Sequence, residues 1–138
     1  MNRSFPFFAV QTLVVGSGAA GLNAAVTLKK QGVADVAVLT EGMKMGTSRN
    51  TGSDKQTYYK VTTAGDMSDS IVRMDQNLSA GGAMDGDLAL AEAAGSLKAF
   101  FHLVDIGVPF PCSAYGEYVG YKTDHDPVQR GTSAGPLT

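Results

Sequence analysis

The sequence predicts an α/β fold, on three observations in its first forty residues. Leu13-Val14-Val15 is a short β-branched run that stops at a glycine. Ala19 to Gln31 then has the spacing of a helix, and Val36 to Leu39 is a second apolar run. Strand, glycine turn, helix and strand in that order make one βαβ unit, whose strands lie parallel.

Each element has its own local cause. An apolar run of this length fits a strand buried on both faces of a parallel sheet. In the helix, Leu22, Val26 and the small alanines are expected to pack, while Lys29 and Lys30 complement the helix dipole and Gly32 supplies the C-terminal cap. Thr40-Glu41-Gly42 ends the second strand. Met43 to Gly65 is rich in Gly, Ser, Thr, Asn and Lys and is expected to be a long loop, a feature that is usually functional in a compact domain. Ser68 or Asp69 caps a predicted helix that runs to about Leu78 and stops at Gly81-Gly82. Asp87 caps a longer one, Leu88 to Asp105, ended by Gly107. Leu90, Ala94, Leu97, Phe101 and Val104 fall on one face of it and form the expected buried stripe. Cys112 to Lys122, with Tyr115, Tyr118 and Tyr121, suggests a hairpin, and Asp124 to Thr138 is polar with no evident element.

Composition bounds the function. The chain has 138 residues, 43% of them hydrophobic, which is enough for one core. Charged residues are 17% and the net charge is −2, so there is no electrostatic footprint for nucleic acid or an anionic membrane. No run approaches a membrane span. The lone Cys112 and the two histidines exclude a disulfide framework and cysteine- or histidine-rich metal sites. The cysteine usage fits a reducing, cytoplasmic compartment.

One motif carries chemical information. Gly16-Ser17-Gly18-Ala19-Ala20-Gly21 fits G-x-G-x-x-G, directly after a strand and opening a helix, with the acidic Glu41 twenty positions beyond Gly21. That context makes it a dinucleotide-binding fingerprint in a Rossmann-like core. Gly16 allows the sharp turn, Gly18 lets a pyrophosphate approach the backbone, and Gly21 lets helix and strand pack closely. The helix N-terminus offers N–H groups and partial positive charge to phosphates. Glu41 accepts hydrogen bonds from ribose hydroxyls and disfavours a 2′-phosphate. Of the remaining residues with reactive side chains, Asp124-His125-Asp126 reads as a solvated turn, Cys112 as inert packing, and His102 as a helix-surface or packing residue. Arg49 is balanced between a phosphate or flavin contact and a surface role.

The segment Thr12 to Ala25 resembles the opening of the FAD-binding domain in the succinate dehydrogenase and fumarate reductase flavoprotein superfamily, which includes L-aspartate oxidase. The resemblance continues through Val36 to Glu41, Gly46 to Gly52, and Gly86-Asp87 to Phe110, and reaches Arg130-Gly131-Thr132. It covers most of the chain but only the front part of that family's flavoprotein, so residues 1–138 read as an N-terminal portion of an FAD-binding domain. It implies FAD with its pyrophosphate on Gly16, Ser17, Gly18, Ala19, Ala20 and Gly21 and its ribose held at Thr40 and Glu41. Thr47, Ser48, Thr51, Gly52 and Ser53 are the contacts implied for the following loop. That loop has no histidine for covalent attachment, which implies noncovalent FAD. The implied reaction is hydride transfer between flavin N5 and a small carboxylate substrate. No catalytic residue of the family maps onto this chain, so turnover is expected to need the rest of the same polypeptide or another subunit. Two alternatives stay open: an NAD-binding module, and a non-catalytic subunit or interaction domain that keeps the fold.

Overall fold

The computed structural model describes residues 6–50, 57–123 and 126–134. The chain forms two compact units, Met1–Ser53 and Asp54–Thr138.

The first unit is the expected βαβ motif. Strand β1 (Thr12–Val15) pairs in parallel with β2 (Val36–Leu39), Thr12 opposite Val36 and Val15 opposite Leu39. Helix α1 (Ala19–Lys30) connects them. Its end follows local chemistry: Gly32 takes φ +89°, its N–H bonds to the Lys29 carbonyl, and Lys29 Nζ donates to the Ala34 carbonyl at 2.7 Å. Burial departs from expectation. Leu13 is 53% exposed and Val15 73%, and no residue of α1 is fully buried, Leu22 and Val26 included. Two strands make a surface too narrow to cover a helix face, and the opposite sheet face has no helix against it among the described residues of this unit. The expected long loop also contains structure. Helix α2 (Thr47–Asn50) lies in it, and β3 (Thr57–Tyr59) follows in the second unit.

The second unit places helices α3 (Ile71–Ser79) and α4 (Gly86–Asp105) with an antiparallel pair, β3 and β4 (Gly131–Ser133). Both helix caps are displaced from expectation. Ser70, not Ser68 or Asp69, caps α3 by accepting from the Arg73 N–H, because Asp69 is committed to Arg130 and the Thr62 N–H. Asp85, not Asp87, caps α4, accepting from the N–H groups of Asp87 and Leu88 at 3.0 and 3.1 Å. Asp85→Ala is expected to cost about 1 kcal/mol and to lower the melting midpoint of this unit by roughly 4–8 °C. Asp87→Ala is expected to change it far less, which circular dichroism melts of the two variants would check.

The buried stripe of α4 lies one residue earlier than the spacing suggested. Ala89, Ala93, Ser96 and Phe100 are buried, whereas Leu90 and Phe101 are nearly half exposed. The core joins Val61, Met74 and Ala93 with Tyr59, Leu78 and Leu97. Phe100 also gathers Tyr58, Phe110 and Tyr118, with ring centroids 4.8–5.9 Å away. The expected hairpin over 112–122 is absent. Only Tyr121 bridges to β4, through Gly131, and Tyr115 is 92% exposed. Cys112 is exposed rather than packed.

The polar tail carries a fully buried charge. Arg130 is fully buried and its guanidinium is surrounded by acceptors. Nε and Nη2 donate to the two oxygens of Asp69 at 2.8 and 2.6 Å, and Nη1 donates to Tyr59, Asn77 and Asp126. Asp126 is not part of a solvated turn: it is buried and accepts from Tyr59 Oη and the N–H groups of Val128 and Arg130. Asp124 and His125 lie outside the described residues. Burial alone would raise the Asp69 pKa, but the Arg130 bonds and the N–H groups of Thr62 and Ser70 outweigh it and hold it below the usual carboxylate range.

Candidate functional site

The site is the cleft of the first unit where both parallel strands end. Its walls are Val15 to Gly18 on one side, Leu39 to Glu41 on another, and Met45 to Thr47 across from them, enclosing about 510 Å³. Ligands of open parallel sheets bind at such carboxyl ends.

Gly16 makes the turn at φ +101° with its N–H bonded to the Leu39 carbonyl at 2.8 Å. A side chain at Gly21 would collide with the Gly16 carbonyl, so this glycine sets the approach of helix to turn. Gly18 is the N-cap of α1, extended at φ −74°, and contributes no side-chain cap. The first helical N–H groups, those of Ala19, Ala20 and Gly21, therefore lie at a terminus with no cap from its own end.

Ser17 and Thr40, both predicted contacts, turn toward each other. Their hydroxyls are 2.9 Å apart and both lie within reach of the Gly42 carbonyl, at 3.3 and 3.1 Å, so one donates to the other and the second donates to the carbonyl. They tie the glycine turn to the end of β2. Glu41 stands exposed on the cleft wall beside them. Ser48 reaches back to α1: its Oγ accepts from the Ala19 N–H at 3.1 Å. A hydroxyl that accepts there keeps its own hydrogen for a further acceptor. Thr47 lines the cleft next to it, whereas Thr51, Gly52 and Ser53 lie outside the described residues. Arg49 is exposed on α2.

One residue that shapes the cleft was absent from the predicted set. Gly46 is buried against the Ser17 carbonyl, and a Cβ there would also lie 2.9 Å from the Gly18 nitrogen. Its carbonyl accepts from the Arg49 and Asn50 N–H groups and so starts α2. A glycine in a polar loop gives no sequence signal for such a contact, because the partner is backbone nearly thirty residues away.

The residues present fit a dinucleotide. The glycine turn is bare of Cβ where phosphate must approach, it opens a twelve-residue helix, and a carboxylate stands at the second strand's end. The family model described as FAD binding domain matches residues 11–136. No curated protein matches the chain.

Proposed function

From the premise that the chain belongs to the FAD-binding domain family, we propose that it supplies the FAD-holding part of an oxidoreductase in the succinate dehydrogenase and fumarate reductase flavoprotein superfamily. FAD binding and a flavin-dependent oxidoreductase class follow from the family itself. The finer placement, near the L-aspartate oxidase group, rests on the resemblance of residues 12–25, 36–41, 46–52 and 86–110.

The carrying observation is the start of α1, whose N-cap Gly18 has no side chain, over a cleft that ends in Glu41. Gly18, Ala20 and Gly21 would hold the pyrophosphate through backbone N–H groups and the helix field, and Ala19 through Ser48. Ser48 would pass a hydrogen bond from the Ala19 N–H to a phosphate oxygen. Glu41 would hold the adenosine ribose, with Gly16, Ser17 and Thr40 fixing the turn on which both depend, and Thr47, Thr51, Gly52 and Ser53 following toward the flavin. The bound flavin supplies hydride transfer at N5, on a small carboxylate substrate in this reading. The attachment is noncovalent, since the loop after β2 has no histidine. The chain alone holds the cofactor without turnover, in the cytoplasm, and works with further polypeptide that carries the acid–base group. No helix among the described residues is long and apolar enough to cross a membrane.

Titration of the purified chain with FAD, followed by flavin fluorescence, tests this reading. Saturable binding is expected, with free yellow flavin released on heat denaturation. Glu41→Gln is expected to weaken it roughly tenfold or more, the loss of a hydrogen bond between a charged acceptor and ribose. Equal affinity for NAD and FAD would favour the NAD-binding module. Flavin that stays with the precipitated protein would refute the noncovalent claim, and no binding at all would favour an interaction domain.

A further inference from the structure

The pair β3 and β4 carries different chemistry on its two faces. Tyr59 points into the Arg130 cluster, where the guanidinium has acceptors on Nε, Nη1 and Nη2. The other face holds Tyr58, Lys60 and Thr132. Tyr58 stands directly opposite Thr132 in the antiparallel register, and Lys60 is two residues beyond Tyr58, so the three share a face. Tyr58 and Lys60 both lie against Phe100: the rings of Tyr58 and Phe100 are 5.9 Å apart, and Lys60 Nζ is 4.9 Å from the Phe100 centroid. Tyr58 Oη donates to the Ser96 carbonyl and is satisfied.

Lys60 and Thr132 are not. They are 0% and 1% exposed, and among the described residues neither Lys60 Nζ nor Thr132 Oγ1 has a hydrogen-bond partner. The ring face returns part of the cost of burying an ammonium, but a buried cation without an acceptor remains half of an ion pair. Burial lowers the Lys60 pKa, and nearby Asp69 opposes this only in part. Asp69 is not the missing half: it makes no hydrogen bond to Lys60 Nζ, and its charge is already paired with Arg130. Each guanidinium nitrogen of Arg130 already has an acceptor.

We propose that Lys60 Nζ and Thr132 Oγ1 form a receptor for the carboxylate of a small organic acid. This rests on the reading above that the substrate carries a carboxylate. A carboxylate is acceptor-only, with two oxygens, and matches two donors on one face. It also supplies the negative charge that the buried ammonium lacks.

The test is a thermal melt of the full chain against acetate and against succinate, with chloride at matched ionic strength as reference and no flavin added. The wild type is expected to gain stability saturably with at least one of the two acids. Lys60→Met is expected to melt about 5 °C higher on its own, having lost an uncompensated buried charge, and to lose the acid response. Thr132→Val, nearly the same shape, is expected to weaken the response roughly two- to tenfold. Lys122→Met, at an exposed lysine, should respond as the wild type does. An undiminished response in both Lys60→Met and Thr132→Val overturns the proposal, as does a wild type with no saturable response up to about 10 mM acid, a concentration that reports even weak complexes. Flavin plays no part in these melts, so their failure leaves the FAD reading standing, and a failed FAD titration leaves this receptor standing.

Discussion

Arg130→Met is expected to destabilise the second unit by about 3–5 kcal/mol, the cost of breaking a buried ion pair and stranding its partner. Here two partners are stranded. Asp69 and Asp126 have fully buried side chains and both face the guanidinium. For a domain whose whole stability is about 5–15 kcal/mol, that loss moves the thermal midpoint by roughly 12–25 °C or more. The pH dependence should also weaken. In the wild type the Asp69 pKa is depressed when folded, so its contribution is present above the unfolded carboxylate value and is lost as pH falls through the lower folded one. In Arg130→Met the guanidinium's bonds and charge are gone while the Thr62 and Ser70 N–H groups remain, so the folded pKa moves up toward the unfolded value. The difference in proton binding between the folded and unfolded states narrows, and less stability is lost on acidification. Urea melts at pH 7 and at about pH 3, below the ordinary carboxylate range, check both effects. Wild type and variant falling in parallel on acidification would show that the cluster is not ionised as the geometry requires. Asp69→Asn should be destabilising as well, and its effect should not add to that of Arg130→Met, because the two share one interaction.

This cluster also marks where sequence reading stops. The first unit is governed by near neighbours: a β-branched run ends at a glycine, lysines and Gly32 finish a helix, and a second run ends at Glu41. Those signals place β1, α1 and β2 within a residue of their observed bounds, and they bring Gly16 to Gly18 and Glu41 to one cleft. The second unit is governed by distant pairing. β3 and β4 are three residues each and meet across most of the unit, Thr57 opposite Ser133. Neither segment is long enough to show alternation, and no local pattern marks a lone arginine as the centre of a buried cluster. Asp126 looked like a turn residue because one of its partners, Tyr59, comes from β3, 67 residues away in the chain. The α4 stripe was displaced by one because hydrophobicity picked Leu90 and Phe101, whereas the buried face carries the small Ala89, Ala93 and Ser96 before Phe100, with Ser96 Oγ accepting from the Val61 N–H. Close backbone contact selects against size, and hydropathy is blind to it.

The same blindness hid Gly46, and the glycines of the cleft give the second large effect. Gly46→Ala is expected to lower FAD affinity at least tenfold, equivalent to about 1.4 kcal/mol or more, and to destabilise the first unit as well. The new methyl meets backbone atoms, the Ser17 carbonyl and the Gly18 nitrogen, which cannot swing aside as a side chain would. Relief requires the loop carrying Ser48 to move off the start of α1, and that breaks the bond from the Ala19 N–H to Ser48 Oγ. Gly18→Ala is the contrasting variant. Its φ is open to any residue, and the nearest atom to the added Cβ is Ser48 Oγ at 3.5 Å, an ordinary contact. The ligand-free fold should therefore keep its melting midpoint. The methyl would nevertheless stand where the pyrophosphate must approach the backbone, so FAD affinity should fall by a similar factor. Melting curves paired with FAD titrations of both variants separate the two causes. Loss of affinity with unchanged stability in Gly18→Ala identifies the turn as the phosphate seat. Full affinity in Gly18→Ala would mean that the dinucleotide does not lie on this turn, and the assignment of the cleft would fail with it.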